Sequence, residues 1–266
     1  MVRSFEFKKY GYPALWWEGI CPSYAMVTEA VTFTPIAHIE SCYPDRFGIP
    51  RQAGLVPSAY ADIIFDATEE NKLALRGIGE FSHIWVLFVF HGQTFGAFKP
   101  LVRPPRLGGN KHVGVYATRS PNRANPLGMS AVRLLGIAEQ KGKLRLQVQG
   151  GDFLDGTPVI DIKPYVPYAD AIASAQGAWA IEPETLLPVC WSSAAEAVLA
   201  KSMEPKPGRL RRLIEETLGQ DPRPGYTRGK DGREGKRWIM QVGDYSVFWT
   251  VENGVARVTH LERIEP

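Results

Sequence analysis

Cysteine is scarce: Cys21, Cys42 and Cys190 stand far apart among 266 residues and form no CxxC pair. That spacing argues against a zinc cluster and fits reduced thiols in a cytoplasmic protein. His38, His83, His91, His112 and His260 show neither HxH nor HExxH spacing, so no metal centre is expected from them. No apolar run approaches the roughly 20 residues of a membrane helix. The longest, Ile84 to Phe90, is strand-sized. Arg3, Lys8 and Lys9 open the chain with no continuous apolar core behind them, so a secretory signal is not expected. No GxGxxG follows a strand and opens a helix, and P-loop and GxSxG patterns are missing. A Rossmann-type enzyme is therefore disfavoured.

Negative charge is missing over a long stretch. Phe81 to Ala138 holds no acidic residue, yet contains Lys99, Arg103, Arg106, Lys111, Arg119, Arg123 and Arg133. Lys201 to Arg237 is also basic, whereas Gly150 to Glu184 is acidic. Segregated charge suits an anionic partner such as a nucleic acid, even at a net charge of only +3. An apolar fraction of 44% with 22% charged residues is that of an ordinary globular protein, which excludes wholesale disorder.

Strand patterns dominate the first two thirds. Val31 to Glu40 is rich in β-branched residues, and Ile84 to Phe90 reads as a strand apolar on both faces. Val113 to Thr118 reads as another. Met129 to Glu139 and Lys143 to Gln149 flank a Lys141-Gly142 turn, which predicts a hairpin, and Val159 to Lys163 can close the sheet. Thr68 followed by Glu69, Glu70 and Leu73 predicts one short capped helix ending at Gly77. The expected fold class is mainly β: an antiparallel β-barrel over residues 30–170.

Residues 171–200 read as a linker or covering segment, punctuated by Pro183 and Pro188. Residues 201–266 read as a small α+β unit. Leu210, Leu213, Ile214 and Leu218 recur at helical spacing up to Gly219. Three strands then follow, joined by Gly243-Asp244 and Glu252-Asn253-Gly254. The first 29 residues, aromatic through Tyr10, Tyr12, Trp16, Trp17 and Tyr24, form an extension with no assigned role.

Three Gly/Pro-rich polar loops interrupt the strands: Phe47 to Leu55, Arg103 to Asn110 and Ala117 to Ser130. Proline fixes the backbone, glycine permits close approach, and arginine offers planar donors for carboxylate or phosphate. A fourth segment, Gly151 to Val159, combines an Asp155-Gly156 turn with the aspartates Asp152 and Asp155. The spacing of Asp152, Asp155 and Asp161 matches no dedicated magnesium loop.

FxIPRQxGL, FSHIWVLFVFH, VRPPRLGGN, GVYATRSPNRANPLGMS and LDGTPVIDIKPYVPYAD, in that order, resemble the TsaA-like family. QDPRPGY followed by a β-meander is similar to its bacterial members that methylate threonylcarbamoyl-adenosine in tRNA. The resemblance runs from about Thr32 to the C-terminus and leaves residues 1–29 uncovered. It implies a β-barrel that binds S-adenosyl-L-methionine (SAM) in a non-Rossmann manner, commonly as a homodimer with the site near the subunit interface.

Carried over by motif, the implied cofactor contacts are Pro50, Arg51, Gln52, His91, Gly92, Arg119, Met129, Leu154, Asp155, Gly156 and Thr157. Two departures stand out. Gly92 separates His91 from Gln93, and PNRANP replaces the family's TFRPNP, with Ala124 in place of proline. Arginine suits the methionine carboxylate of SAM, which points to Arg119 or Arg51. A catalytic base, if the reaction uses one, falls to His91 or Asp155. Arg103, Arg106, Lys111 and Arg123 are candidates for substrate carboxylate and phosphates, with Arg209, Arg211, Arg212, Arg223 and Arg228 on the appended unit. Three rivals remain: methylation of another RNA or a small molecule, a noncatalytic RNA-binding module, and, weakest, a metal-dependent phosphoesterase.

Overall fold

β1 (Ala37–Ser41), β2 (Tyr60–Asp66) and β3 (His83–Val89) alternate buried and exposed residues, the signature of strands with one face on a core. In this computed structural model, which describes residues 32–92, 99–108, 111–180, 185–202, 208–228 and 235–264, they belong to a ring of strands. Two short strands follow, β4 (Leu101–Val102) and β5 (Val113–Gly114), paired only with each other. The long β6 (Leu127–Gln140), β7 (Lys143–Gln149) and β8 (Pro158–Pro164) complete the ring. Its order is β1-β2-β7-β6-β3-β8, every pairing is antiparallel, and β8 returns to β1 through Ala37–Val159 and His38–Pro158.

Inside the ring lie Ile39, Ile63, Ile84, Val86, Leu146 and Val159, all fully buried. Each such side chain stabilises the fold by roughly 1.5–3 kcal/mol relative to exposure. The β6–β7 hairpin turns at Lys141 (φ 51°) and Gly142 (φ 71°), two successive left-handed residues as a two-residue turn requires. α1 (Glu69–Ala74) links β2 to β3, its start capped by the Thr68 hydroxyl accepting from the Asn71 amide at 3.2 Å.

Three details differ from the pattern reading. β3 is not buried on both faces: Ile84, Val86 and Phe88 point into the ring, while Trp85, Leu87 and Val89 are half-buried outside it. A single ring has no second layer to cover its outer wall; Trp85 is instead shielded by Tyr165, at 5.6 Å between ring centroids. The first strand starts only at Ala37, because Pro35 has no N–H for the ladder. Val113 to Thr118 is strand for two residues only and then tightens into a 3-10 turn at Val115–Ala117.

Beyond the ring, α2 (Pro167–Asp170) is followed by β9 (Val189–Trp191), α3 (Ser193–Leu199) and α4 (Arg209–Gly219). β10 (Trp238–Val242), β11 (Tyr245–Glu252) and β12 (Val255–Arg263) make the expected meander, and β9 joins its edge parallel to β12. The segment 171–200 is therefore more than a linker. Its Val189 to Leu199 portion supplies a strand and a helix to the C-terminal sheet, and Ala195 of α3 is fully buried. Leu213, Ile214 and Leu218 of α4 pack on Met240, Val247 and Trp249 of the sheet, as the helical spacing predicts. Cys42, Tyr43, Val56 and Ala59, from the β1–β2 connection, enter the same core.

Candidate functional site

In an antiparallel ring, successive connections alternate between its two ends. The β1–β2, β3–β6 and β7–β8 connections therefore leave from one rim, while α1 and the β6–β7 hairpin lie at the other. The three connections on that shared rim carry all the Gly/Pro-rich motif loops. Residues 47–55, 103–130 and 150–157, distant in sequence, are thus brought together by topology.

Hydrogen bonds join these loops directly. The Arg119 guanidinium donates to Gln52 Oε1 at 2.5 Å, and the Gly54 amide to the Gly150 carbonyl at 2.8 Å. The Phe90 amide meets the Pro126 carbonyl at 2.8 Å. Ser130 donates its hydroxyl to Asp152 Oδ1 at 2.6 Å. Burial pushes the Asp152 carboxyl above its ordinary value, opposed first by the Ser130 bond and further by the charge of Arg119. Ser130 and Asp152 were not among the expected contacts; Ser130 ends the GMS motif and Asp152 precedes LDGT, so proximity to motifs was the available signal.

His91 closes over the last loop. Its Nε2 lies 3.0 Å from the Asp155 carbonyl oxygen, an acceptor only, so Nε2 carries a proton. Its Nδ1 lies 3.2 Å from the Thr157 hydroxyl, which itself reaches the Leu154 carbonyl at 2.6 Å. Both ring nitrogens are thereby engaged with the 154–157 loop. Gly92 (φ 74°) continues the chain, and a Cβ there would stand 2.6 Å from Leu154. The Asp155 side chain does not face His91; its Oδ1 accepts from the Ser41 amide at 2.8 Å. The two expected catalytic residues are neighbours through the Asp155 backbone only. Gln93 lies outside the described residues.

The remaining expected residues divide. Met129 is 57% exposed on the rim, as is Leu127 at 44%. Pro50 is buried, and Arg51 donates to the Asp221 carbonyl at 3.3 Å. Arg103 bonds His112 at 2.9 Å, Arg106 is half-buried and Lys111 is exposed. Arg123 turns inward and holds its own loop, donating to the Thr118 and Val115 carbonyls at 2.8 and 3.3 Å.

On the appended unit, Arg223 is directed at the Asp221 carboxylate through two bonds of 2.7 and 2.9 Å, and Arg228 joins the same carboxylate. Arg209 stacks at 3.5 Å over the Tyr60 ring, and Arg211 pairs with Glu196 and Glu215. Arg212 is exposed.

Two concavities border the ring. One, of about 70 Å³, lies between Phe47, Pro50 and Arg51 on one side and Thr217, Gln220 and Pro222 on the other. The second, of about 300 Å³, is lined by Ile36, His38, Ile64, Asp66 and Lys143. The first borders Pro50 and Arg51 of the motif rim; among the described residues, neither is lined by His91, Arg119 or the 154–157 loop. Among the described residues, no group of three or more His, Cys, Asp or Glu side chains is arranged for a metal ion. The Cys42 thiol is pushed up to about 12 by burial, which makes it unreactive.

The chain matches the tRNA-methyltransferase O N-terminal domain over residues 38–171 and the TrmO C-terminal domain over residues 184–264. It is 41% identical over 231 residues to a tRNA (adenine(37)-N6)-methyltransferase of Escherichia coli K12, covering 86% of this chain and 97% of that one. A relative of Pseudomonas aeruginosa, named as an S-adenosylmethionine-dependent methyltransferase, is 42% identical over 81% of this chain and 90% of its own. The crystal structure of TrmO from Pseudomonas aeruginosa superimposes with a TM-score of 0.67 at 34% identity, over 88% of this chain and 99% of that one.

Proposed function

Since the chain belongs to the tRNA-methyltransferase O family, we propose that its motif rim binds SAM and methylates the exocyclic N6 of adenine 37 in tRNA. The acceptor in this reading is the threonylcarbamoyl form of that adenine. The observation that carries it is the convergence of loops 47–55, 103–130 and 150–157 on one rim, locked by Gln52 to Arg119 at 2.5 Å.

The residues present fit SAM. Arg119, exposed and held by Gln52, suits the methionine carboxylate better than Arg51, whose guanidinium is directed to Asp221. Leu127 and Met129 offer apolar surface for adenine. When bound, SAM supplies an electrophilic methyl on its sulfonium. The chain's own work is positioning, which in-line transfer chiefly needs. His91 holds the 154–157 loop with both nitrogens, which leaves Asp155, exposed, as the better acceptor for the N6 proton. The carbonyl of the threonylcarbamoyl group acidifies that proton, so a weak base or water suffices.

A second copy of the chain is the proposed partner for the exposed apolar residues of the rim. Leu101, Tyr116, Leu127 and Met129 are exposed on the acid-free stretch, and an isologous contact there would place the SAM site at the subunit boundary. Arg103, Arg106 and Lys111 on the rim connection, with Arg212 on α4, are the cations proposed for the anticodon backbone. Arg123 and Arg223 act internally. A tRNA substrate together with the buried Cys42 thiol suits a cytoplasmic protein.

The test is nucleoside mass analysis. Protein and SAM are incubated with threonine tRNA that carries or lacks threonylcarbamoyl-adenosine, and the digests are compared. One added methyl on the modified nucleoside only is the expected result. Tight SAM binding with no methylation of either tRNA would overturn the acceptor and keep the cofactor site.

A further inference from the structure

We infer that Gly225 is a positioning residue for tRNA binding: its bare backbone seats the second motif loop on the C-terminal unit and so sets Arg106. The inference rests on the tRNA reading given above, in which Arg106 meets the anticodon backbone.

Gly225 opens a 3-10 turn, Gly225–Thr227, and the segment of the second motif loop that faces it is another, Pro105–Leu107. A Cβ on Gly225 would stand 3.0 Å from the Pro105 Cα, 3.1 Å from the Pro105 carbonyl oxygen and 3.3 Å from the Pro105 Cβ. The first two are backbone atoms, which no rotamer change can move aside. Gly225 lacks the positive φ of Gly108 (73°) or Gly208 (75°), so its backbone conformation does not call for glycine. What calls for glycine is the close approach of Pro105.

Both partners in this contact are held. On the C-terminal side, the Asp221 carboxylate accepts from Arg223 at 2.7 and 2.9 Å and pairs with Arg228 at 3.3 Å. Thr227, which is buried, donates its amide at 2.8 Å and its hydroxyl at 2.7 Å to the Pro224 carbonyl. Pro222 and Pro224 fix φ between these ties. On the loop side, Pro104 is buried and its carbonyl accepts the Leu107 amide at 3.0 Å. The Pro105 carbonyl, which a methyl on Gly225 would strike, accepts the Gly108 amide at 3.0 Å. That bond closes the turn in which Arg106 is the middle residue, so displacing its oxygen redirects Arg106. The same C-terminal turn receives Arg51 of the first motif loop at the Asp221 carbonyl, 3.3 Å away. One braced turn thus sets a basic residue in each of two motif loops.

The experiment compares wild type, Gly225→Ala, Gly225→Val, Arg106→Ala and the Gly225→Val/Arg106→Ala double variant. Each is read by steady-state kinetics, SAM titration, thermal melting and filter binding of tRNA over a salt series. The KM for tRNA is expected to rise about threefold in Gly225→Ala and about tenfold in Gly225→Val, following the volume added, while kcat and SAM affinity hold. The salt slope of tRNA binding flattens by about one ion in Gly225→Val, as it does in Arg106→Ala. The double variant binds tRNA no worse than its weaker-binding parent, because Gly225 acts through Arg106. A wild-type KM for tRNA in Gly225→Val, or fully additive losses in the double variant, overturns the inference. If Arg106→Ala binds tRNA with wild-type affinity and slope, the tRNA reading of Arg106 fails and takes the inference with it. Should the Gly225 variants not fold, Pro105→Ala decides by removing the ring from its seat. A KM for tRNA raised about threefold at unchanged SAM affinity supports the seat, and an unchanged KM overturns it.

Discussion

Glu216 offers a direct measure of how much the C-terminal unit contributes to the first motif loop. It sits on α4, and its Oε2 accepts both the Ser58 amide at 2.8 Å and the Ser58 hydroxyl at 2.7 Å. Bonds to an ionised acceptor contribute about 1.5–3 kcal/mol each when shielded and less when partly solvated. Both of these are partly buried. Glu216→Ala removes the pair and strands the Ser58 amide, which places the loss at about 2–3 kcal/mol. For a chain of this size that is a fall of roughly 5–10 °C in melting temperature. Glu216→Gln keeps one acceptor oxygen and should lose about 1 kcal/mol. The loop carries Gln52, and Gln220 of the same region also holds it, at 3.1 Å through the Leu55 carbonyl. SAM affinity should therefore fall together with stability, by about threefold in Glu216→Ala. Calorimetric melting and SAM titration on one preparation read both quantities. A melting temperature within a degree or so of wild type would refute the energetic argument. A full drop in melting temperature with unchanged SAM affinity would refute the claim that α4 sets the loop.

Gly128→Ala should destabilise by about 1–3 kcal/mol, because the added methyl drives into the buried Phe88 ring, itself wedged between Phe90 and Phe153; a wild-type urea midpoint would show that the ring yields freely. Arg123→Ala should weaken SAM binding and leave the salt slope of tRNA binding unchanged, since its donors hold the Thr118 and Val115 carbonyls. Arg103→Ala should do the reverse, and filter binding over a salt series with SAM titration separates the two. For pH, the folded carboxyl of Asp152 lies above its ordinary 3.8, so the folded state holds the proton more tightly than the unfolded chain does. Its contribution is present below 3.8 and is lost as pH rises through the raised value. The melting advantage of Asp152→Asn over wild type should therefore grow from acid toward neutral pH; an advantage that shrinks would contradict the sign.

Local chemistry made much of this architecture legible in the sequence. The Lys141-Gly142 and Asn253-Gly254 turns needed only residues that tolerate positive φ, and both are observed. Leu210, Leu213, Ile214 and Leu218 placed α4 by spacing, since one buried helix face has its own period. β3 was misread on its outer face because Trp85, Leu87 and Val89 are apolar for reasons outside the ring's own core. β9 has three residues, too few for any periodicity, so only its parallel pairing with β12 reveals it. At the site, motif positions such as Arg119 and Gln52 were identifiable one by one. Their contact was not, being a consequence of which connections share a rim. Asp152 was harder still. Its partner Ser130 comes from another connection, and a turn sequence accounts for an aspartate equally well. The inward turn of Arg123 and the pairing of Arg223 with Asp221 were illegible for a similar reason: sequence shows a charge but not its partner.

The ring and the appended unit are bound through the frame of the first motif loop. Cys42, Tyr43, Val56 and Ala59, which frame the first motif loop, are buried in a core shared with α4 and the C-terminal sheet, not in the interior of the ring. The Gly243 amide reaches the Cys42 carbonyl at 2.8 Å, and the Tyr43 and Thr217 hydroxyls meet at 3.3 Å. The Asp221 backbone, at a left-handed φ of 46°, presents its carbonyl to Arg51 and Arg228 together. Side-chain burial of this kind sets loop geometry more firmly than hydrogen bonds within an exposed loop can, because displacement must open the packed core. The ring's own interior provides no such buttress for residues 47–55. The C-terminal unit thus acts as a mould for the loop that carries Pro50, Arg51 and Gln52, beside the RNA contact proposed for Arg212 on α4. In the proposed reading, RNA contact and cofactor contact are coupled, since a shift of α4 is passed to the residues proposed to hold SAM.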